Sequence, residues 1–267
     1  MIVKDFSVEK TLDSGQIFRY HFENGWWYVH HLDQFFRMKQ EGNKLHFEGT
    51  PDHFLTSFFS LKENIKKINK KINKDEVINK AIQHSAGLRL LQQDPWECMV
   101  AFLCSSASNI PKIKMNMDLL SQQFGRKEEK FGKTVFHFPE LHSLNDYQKI
   151  WNAKTGFRAK YLYTINTLVD YPFFRQLQAM HYEDCIFELN ELPGIGPKVA
   201  DCIALFSLGK TEAFPIDTWM RKVMLRHYFK GKKVSDQKIR QFAMDYFGIY
   251  AGYAQQYLFD ASRKGVL

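Results

Sequence analysis

Leu192-Pro193-Gly194-Ile195-Gly196-Pro197-Lys198, followed nineteen positions later by Asp217, is the stretch from which the rest of the chain can be organised. It reads as a glycine-rich turn that opens directly into a helix. Gly194 and Gly196 admit backbone angles that a side chain resists. Pro197 suits a first helical position, where its missing N–H would be unpaired anyway. Lys198 then falls in the first turn, where free backbone N–H groups can hold a phosphate. The same positive helix end disfavours an ammonium and so favours the neutral amine, the form in which lysine attacks as a nucleophile.

The helix runs on through Val199-Ala200-Asp201-Cys202-Ile203-Ala204-Leu205-Phe206-Ser207-Leu208, and Gly209 is a fitting terminator. Lys198 and Cys202 are four apart and share a face. Cys202 could thus line the lysine's pocket, although a lone cysteine on an apolar helix is more often core; Asp201 faces elsewhere, toward backbone or a basic partner. Pro215-Ile216-Asp217-Thr218-Trp219 reads as an extended entry to another helix with Asp217 as its N-cap. From the local sequence the cap is the stronger reading of Asp217; the same carboxylate could also stabilise positive charge at a sugar carbon or steer a proton. Arg221, Lys222 and Arg226, with Lys230, Lys232 and Lys233 beyond, offer phosphate contacts.

Upstream, Asp94 can cap a helix with Pro95 at its first position, and Glu97 completes a box-like signature. Residues 96–103 read as buried, and they end in the small polar run Ser105-Ser106-Ala107-Ser108-Asn109. Another helix is expected over residues 111–124, a loop-rich stretch over 125–145, and helices from about Tyr147, Ala159 and Tyr182. The first 60 residues differ in kind. Gly25-Trp26-Trp27-Tyr28-Val29, Phe35-Phe36-Arg37-Met38 and the alternating Lys44-Leu45-His46-Phe47-Glu48 are strand-like, with turn signals at Asn24-Gly25 and Gly42-Asn43. Composition shifts near residue 60. Residues 61–80 hold seven lysines, and Ile65, Ile68 and Ile72 mark one helical stripe; the lysines could face DNA, but a solvated helix face is the stronger reading. The expected fold class is α+β: an N-terminal antiparallel sheet domain with a flanking helix (residues 1–85), then a mostly helical body (86–267) containing a helix-hairpin-helix at about 182–209.

With 267 residues, 45% hydrophobic, the chain can bury a sizeable core. Its 37 Lys and Arg against 29 Asp and Glu leave a net charge of +8, which suits a polyanion. Cys98, Cys104, Cys185 and Cys202 form no CxxC pair, so neither zinc nor an iron–sulfur cluster is indicated. Asp5 comes too early for a secretory apolar run, and the longest apolar stretch, residues 99–103, is too short to span a bilayer. A reduced intracellular setting, cytoplasm or nucleoid, is expected.

In sum of residues, the hairpin, Val199-Ala200-Asp201-Cys202 and Pro215-Ile216-Asp217 resemble the helix-hairpin-helix DNA glycosylases, and among them the 8-oxoguanine DNA glycosylases. The likeness runs nearly end to end. It takes in Ser14-Gly15-Gln16-Ile17-Phe18-Arg19, Gln92 with Asp94-Pro95-Trp96-Glu97, Cys104-Ser105-Ser106, Gly156-Phe157-Arg158-Ala159-Lys160-Tyr161 and Ala251-Gly252-Tyr253-Ala254-Gln255-Gln256-Tyr257-Leu258-Phe259. The resemblance implies Lys198 as catalytic lysine and Asp217 as the acid that stabilises positive charge at the sugar. It implies Gly15 as the carbonyl that accepts from N7–H of the oxidised base, where guanine itself presents an acceptor. Gln255 would read the Watson–Crick edge, and Cys202 and Phe259 would sandwich the flipped base. Arg158 would contact the orphaned cytosine, with Phe157 as a wedge beside it. Gly194, Gly196 and Asn109 belong to the same DNA-facing set.

Three positions depart from the family. Ala107 stands where an asparagine often fills the vacated stack. Lys112 replaces a second cytosine-reading arginine and lacks its planar fork. Trp219 replaces a histidine that contacts phosphate. A relaxed opposite-base preference is therefore expected. The likeness implies base flipping, lysine attack at C1′, a Schiff base and strand cleavage by β-elimination, on double-stranded DNA containing oxidised guanine, by a monomer with no membrane partner. The chemistry calls for no catalytic metal and no redox or nucleotide cofactor; a cation at the hairpin carbonyls would be structural. The alternatives are a non-catalytic helix-hairpin-helix DNA-binding module and a glycosylase for another damaged base.

Overall fold

The computed structural model describes all residues, 1–267. A short helix α1 (Val8–Leu12) precedes a four-stranded antiparallel sheet, β1 (Tyr20–Glu23), β2 (Trp26–His31), β3 (Gln34–Glu41) and β4 (Lys44–Glu48), in the order β1-β2-β3-β4. Asn24 and Gly25 both turn through positive φ, closing the first hairpin with Glu23 opposite Trp26. Alternation places Val29, Phe36, Met38 and Leu45 on one face. There they pack with α1, with α2 (Asp52–Phe58) and with Leu91 in a small separate core.

Helices α3 (Ile65–Ile72) and α4 (Glu76–His84) follow. The isoleucine stripe is buried as expected, but Ile65, Ile68, Ile72, Ile78 and Ala81 join the large core of the helical body. The flanking helices thus pack on the core of the body, while Leu91 packs on the core of the sheet. The body continues with α5 (Pro95–Cys104), α6 (Ile110–Phe124), a hairpin of β5 (Lys127–Lys130) and β6 (Lys133–Phe136), and α7 (Tyr147–Ile150), which runs into a π-helical turn at Trp151–Thr155. Then come α8 (Arg158–Leu168), α9 (Tyr171–Ala179), α10 (Tyr182–Asn190), α11 (Pro197–Ser207), α12 (Thr218–His227), α13 (Asp236–Phe247) and α14 (Ala251–Arg263). The last helix packs against α3, α4 and α12, which carries it from the N-terminal half to the hairpin region.

Two expectations are corrected. Residues 125–145 are not merely loop: Phe131 and Gly132 turn β5 back onto β6. These strands are mostly charged and half exposed, so they lack the apolar alternation by which a strand is recognised. Glu97 does not close a capping box. Asp94 alone caps α5, accepting from the N–H groups of Trp96 and Glu97 at 2.9 and 3.1 Å. The Glu97 carboxylate turns instead to the sheet domain. It accepts from Leu32 N at 2.6 Å and lies 3.3 Å from His31 Nδ1 and 3.6 Å from Arg19 Nη1.

Glu97 thus ties the end of β2 to α5. Burial pushes its carboxyl up, but His31 and Arg19 outweigh this and hold it below the usual carboxylate range. A depressed folded-state pKa contributes stability above the unfolded value of 4.5 and loses it as pH falls through the folded value. Glu97→Gln is expected to cost about 3 kcal/mol in urea unfolding near neutral pH, as removal of one partner of a buried ion pair does. The gap between variant and parent should narrow as the pH drops below 4.5. A gap independent of pH would show that the charge is not what stabilises the joint.

Candidate active site

Helices α10 and α11 form the hairpin. Tyr182 of α10 and Arg240 of α13 both bond the buried Asp201 of α11, at 2.6 and 2.8 Å, which fixes the pair against α13. Gly194 is at φ +83, and a Cβ there would meet Tyr161 Cγ at 2.5 Å, so both backbone and packing require glycine. Gly196 is different. Its φ of −97 and ψ of 176 suit any residue, and a Cβ there would meet nothing within 4 Å. The expectation that its backbone demands glycine is corrected. What its bareness provides is an uncapped start to α11, with no side chain between the first-turn N–H groups and an approaching anion.

Lys198 lies in that first turn, partly exposed. Its Nζ donates to Ser105 Oγ at 2.9 Å, and Ser105 Oγ donates to Phe102 O at 2.6 Å. The hydroxyl proton is thus committed to the backbone, and a lone pair is presented to the amine. The Phe102 ring lies 5.2 Å from Nζ. Ser105 is the C-cap of α5, so the amine stands between the positive end of one helix and the negative end of another.

Asp217 is the N-cap of α12. Its Oδ1 accepts from Met220 N at 2.7 Å, while Oδ2 has no protein donor and the side chain makes no ion pair. Cap and available charge are combined in one carboxylate. Cys202 is 3% exposed. Burial pushes its thiol up to about 12, with Lys198 pulling down and Asp201 and Asp217 pushing up. It therefore stays a neutral thiol at neutral pH and is no nucleophile; neither Cys202 nor Gln255 is on the lining of the cleft that Lys198 opens on.

Lys198 and Asp217 open on a cleft of about 870 Å3 whose walls also hold Gly15, Phe259, Ala107 and Trp219. Asn109 and Gly196 lie on the same lining. Gly15 is at φ +82, and a Cβ there would come within 3.3 Å of Phe259 Cε1, so a side chain would narrow the slot. Gln255 is buried. Its Nε2 donates to Pro215 O at 3.1 Å, which fixes the amide orientation and leaves Oε1 as a buried acceptor with no partner.

The groups expected to meet the opposite strand are placed less directly. Arg158 is 6% exposed, with Nε 2.9 Å from Ser106 O, Nη1 3.1 Å from Thr155 O, and Nη2 bonded to Ser106 O and to Ala107 O at 3.0 Å. It staples the loop behind Ser105. Its guanidinium also lies 4.5 Å from the ring centre of Phe157, which is 56% exposed. Ala107 has φ +46, a left-handed angle that asparagine tolerates better than alanine. Asn109 caps α6 by accepting from Lys112 N at 3.0 Å. Trp219 is 48% exposed with Lys222 Nζ 5.6 Å from its ring centre. Arg221, also on the cleft lining, is bonded to Asp236 through Nη2 alone.

The hairpin, with Lys198 in the first turn of its second helix, and the N-cap carboxylate of Asp217 thus line one cleft. Residues 1–99 match the family described as 8-oxoguanine DNA glycosylase, N-terminal domain. A probable N-glycosylase/DNA lyase of Methanothermobacter thermautotrophicus is 32% identical over 216 residues, 72% of this chain and 69% of that protein. The N-glycosylase/DNA lyase OGG1 of Arabidopsis thaliana is 33% identical over 222 residues, 78% of this chain and 60% of that protein. The crystal structure of Clostridium acetobutylicum 8-oxoguanine glycosylase/lyase, in complex with duplex DNA containing cytosine opposite 8-oxoG, matches at a TM-score of 0.92. It is 31% identical and the match covers 100% of this chain and 98% of that one. The chain belongs to the 8-oxoguanine DNA glycosylase/lyase family, and it is a DNA N-glycosylase with lyase activity at abasic sites.

Proposed function

We propose that the substrate is duplex DNA carrying 8-oxoguanine, that Lys198 is the nucleophile and that Asp217 stabilises the charge at the reacting sugar. The observation that carries this reading is the convergence of Lys198 and Asp217 on the cleft that Gly15 and Phe259 also line. A module that only bound DNA would have no use for a free carboxylate oxygen and an amine opening on one cleft.

The flipped base enters between Cys202 and Phe259, and the Gly15 carbonyl accepts from its N7–H. Gln255 Oε1, left without a protein partner, accepts from the donor edge of a guanine-type base. Lys198 Nζ attacks C1′ as the C1′–N9 bond breaks; the electron pair leaves with the base, which takes up a proton. Asp217 Oδ2 faces the positive charge that develops at the sugar. The C1′ adduct opens to a protonated imine, loss of a C2′ proton expels the 3′ phosphate, and water then releases the lysine. All of these residues come from one chain, and the acting species is a monomer at the DNA, in the cytoplasm or nucleoid. No helix is long and apolar enough to cross a membrane.

Opposite-base preference is weak. Ala107 offers no polar group, Lys112 lacks a planar fork, and Arg158 is engaged with backbone carbonyls. A well-formed direct base contact contributes roughly 1–3 kcal/mol of discrimination. Single-turnover excision should therefore be measurable from 8-oxoguanine opposite cytosine, adenine, guanine and thymine, spread over no more than about a hundredfold, the upper reach of one such contact. Equal excision of guanine and 8-oxoguanine would defeat the substrate. A cytosine preference above about a thousandfold, more than two such contacts of average strength provide, would mean that other residues read the opposite base.

A further inference from the structure

The loop that carries Gly15 is held by its carbonyls. Of the four from residue 13 to residue 16, three are taken by distant side chains. Asp13 O accepts from Arg263 Nη2, Ser14 O from Gln256 Nε2 at 2.7 Å, and Gln16 O from Gln93 Nε2 at 2.9 Å. Gly15 O accepts nothing from the protein. The side chains between are fixed as well: Ser14 Oγ donates to Thr11 O at 2.7 Å, and Gln16 Nε2 donates to Ser14 Oγ at 2.9 Å and to Arg89 O at 2.8 Å. Ser14 and Gln16 are fully buried and Gln256 nearly so.

This clamp bears on N7, which together with the C8 carbonyl is where the oxidised base differs from guanine. At N7 the former is a donor and the latter an acceptor. A glycine peptide flips easily. If the Gly15–Gln16 peptide turned over, it would present the Gln16 N–H in place of the Gly15 carbonyl, and the preference would invert toward guanine. Holding Ser14 O on one side and Gln16 O on the other opposes that flip. Two of the three clamps, Gln256 and Arg263, come from α14, which also carries Gln255 and Phe259. The adjacent glutamines hold opposite walls: Gln255 donates to Pro215 O, two residues before Asp217, and Gln256 to Ser14 O, one residue before Gly15.

We infer that Gln256 and Arg263 are positioning residues that fix the Gly15 carbonyl for base discrimination, and that α14 sets its spacing from the Asp217 segment. The inference rests on the reading of Gly15 as the base acceptor. It is tested by comparing two activities of one protein. Single-turnover excision of 8-oxoguanine needs the carbonyl in place; strand cleavage at a preformed abasic site, which has no base, needs the lysine but not the carbonyl. Gln256→Met keeps the volume and removes the donor. Excision should fall about a hundredfold, the usual cost of a misplacement near 1 Å, with abasic-site cleavage within about twofold of the parent. Arg263→Met should act in the same direction and Arg263→Lys, which keeps a donor for Asp13 O, should restore most of the excision. Unchanged excision in both methionine variants, or equal loss of the two activities, overturns the inference. Should Gln256→Met not fold, the partly exposed Arg263 pair decides the matter alone. A parent enzyme indifferent to 8-oxoguanine and guanine would instead overturn the reading of Gly15 itself.

Discussion

Lys198→Gln is expected to abolish borohydride trapping on an 8-oxoguanine duplex while leaving DNA binding close to that of the parent. Glutamine reaches nearly as far and keeps a donor for Ser105 Oγ, which Lys198 Nζ now contacts at 2.9 Å. The position is partly exposed at a helix start, so the fold should tolerate the change. What is lost is the amine that forms the bond to C1′. Removal of an enzymatic nucleophile commonly costs a factor on the order of a million in turnover. Both base release and strand cleavage should fall below detection. Trapping at the parental level would remove Lys198 from the nucleophile's role.

Asp217→Asn separates the two functions of one side chain. The asparagine oxygen can still accept from Met220 N, as Asp217 Oδ1 does at 2.7 Å, and asparagine is as good an N-cap as aspartate. Thermal stability should therefore change little. The second oxygen, which no protein donor occupies, becomes an uncharged amide nitrogen. Single-turnover excision at saturating enzyme should slow by about a hundredfold or more, the usual effect of removing an aimed electrostatic group. Parental kinetics in a stable Asn variant would leave Asp217 with the cap alone.

Much of the site was legible because its signals are local. The turn around Gly194, the stop at Gly209, the cap at Asp217 and the shared face of Lys198 and Cys202 are all set within a few residues, and the structure places each as read. The isoleucine stripe of α3 was legible for the same reason. What escaped depends on partners far along the chain. Glu97 looked like a box residue, yet its partners Arg19, His31 and Leu32 lie 65 or more positions upstream. Ser105 stood in a recognisable motif, but nothing near it announced that it would accept from Lys198, 93 positions on. Helix α9 carried a usable signal, Asp170 before Tyr171-Pro172, between the helices expected from about Ala159 and Tyr182. Gln256 and Arg263 had none, since their acceptors are more than 240 residues away.

The Arg158 staple has a thermodynamic consequence. Its guanidinium serves the Ser106 and Ala107 carbonyls, and those residues continue directly from Ser105, the acceptor for Lys198. The same donors cannot bond the orphaned base and the loop at once. If the opposite strand draws Arg158 out, the loop loses its tether, and the energetic coupling between the two events is reciprocal. Any pairing partner that competes for Arg158 loosens the lysine's seat by the factor by which an ordered seat weakens that partner's hold. Readout of the undamaged strand and readiness of the nucleophile on the damaged one would then be two faces of a single equilibrium.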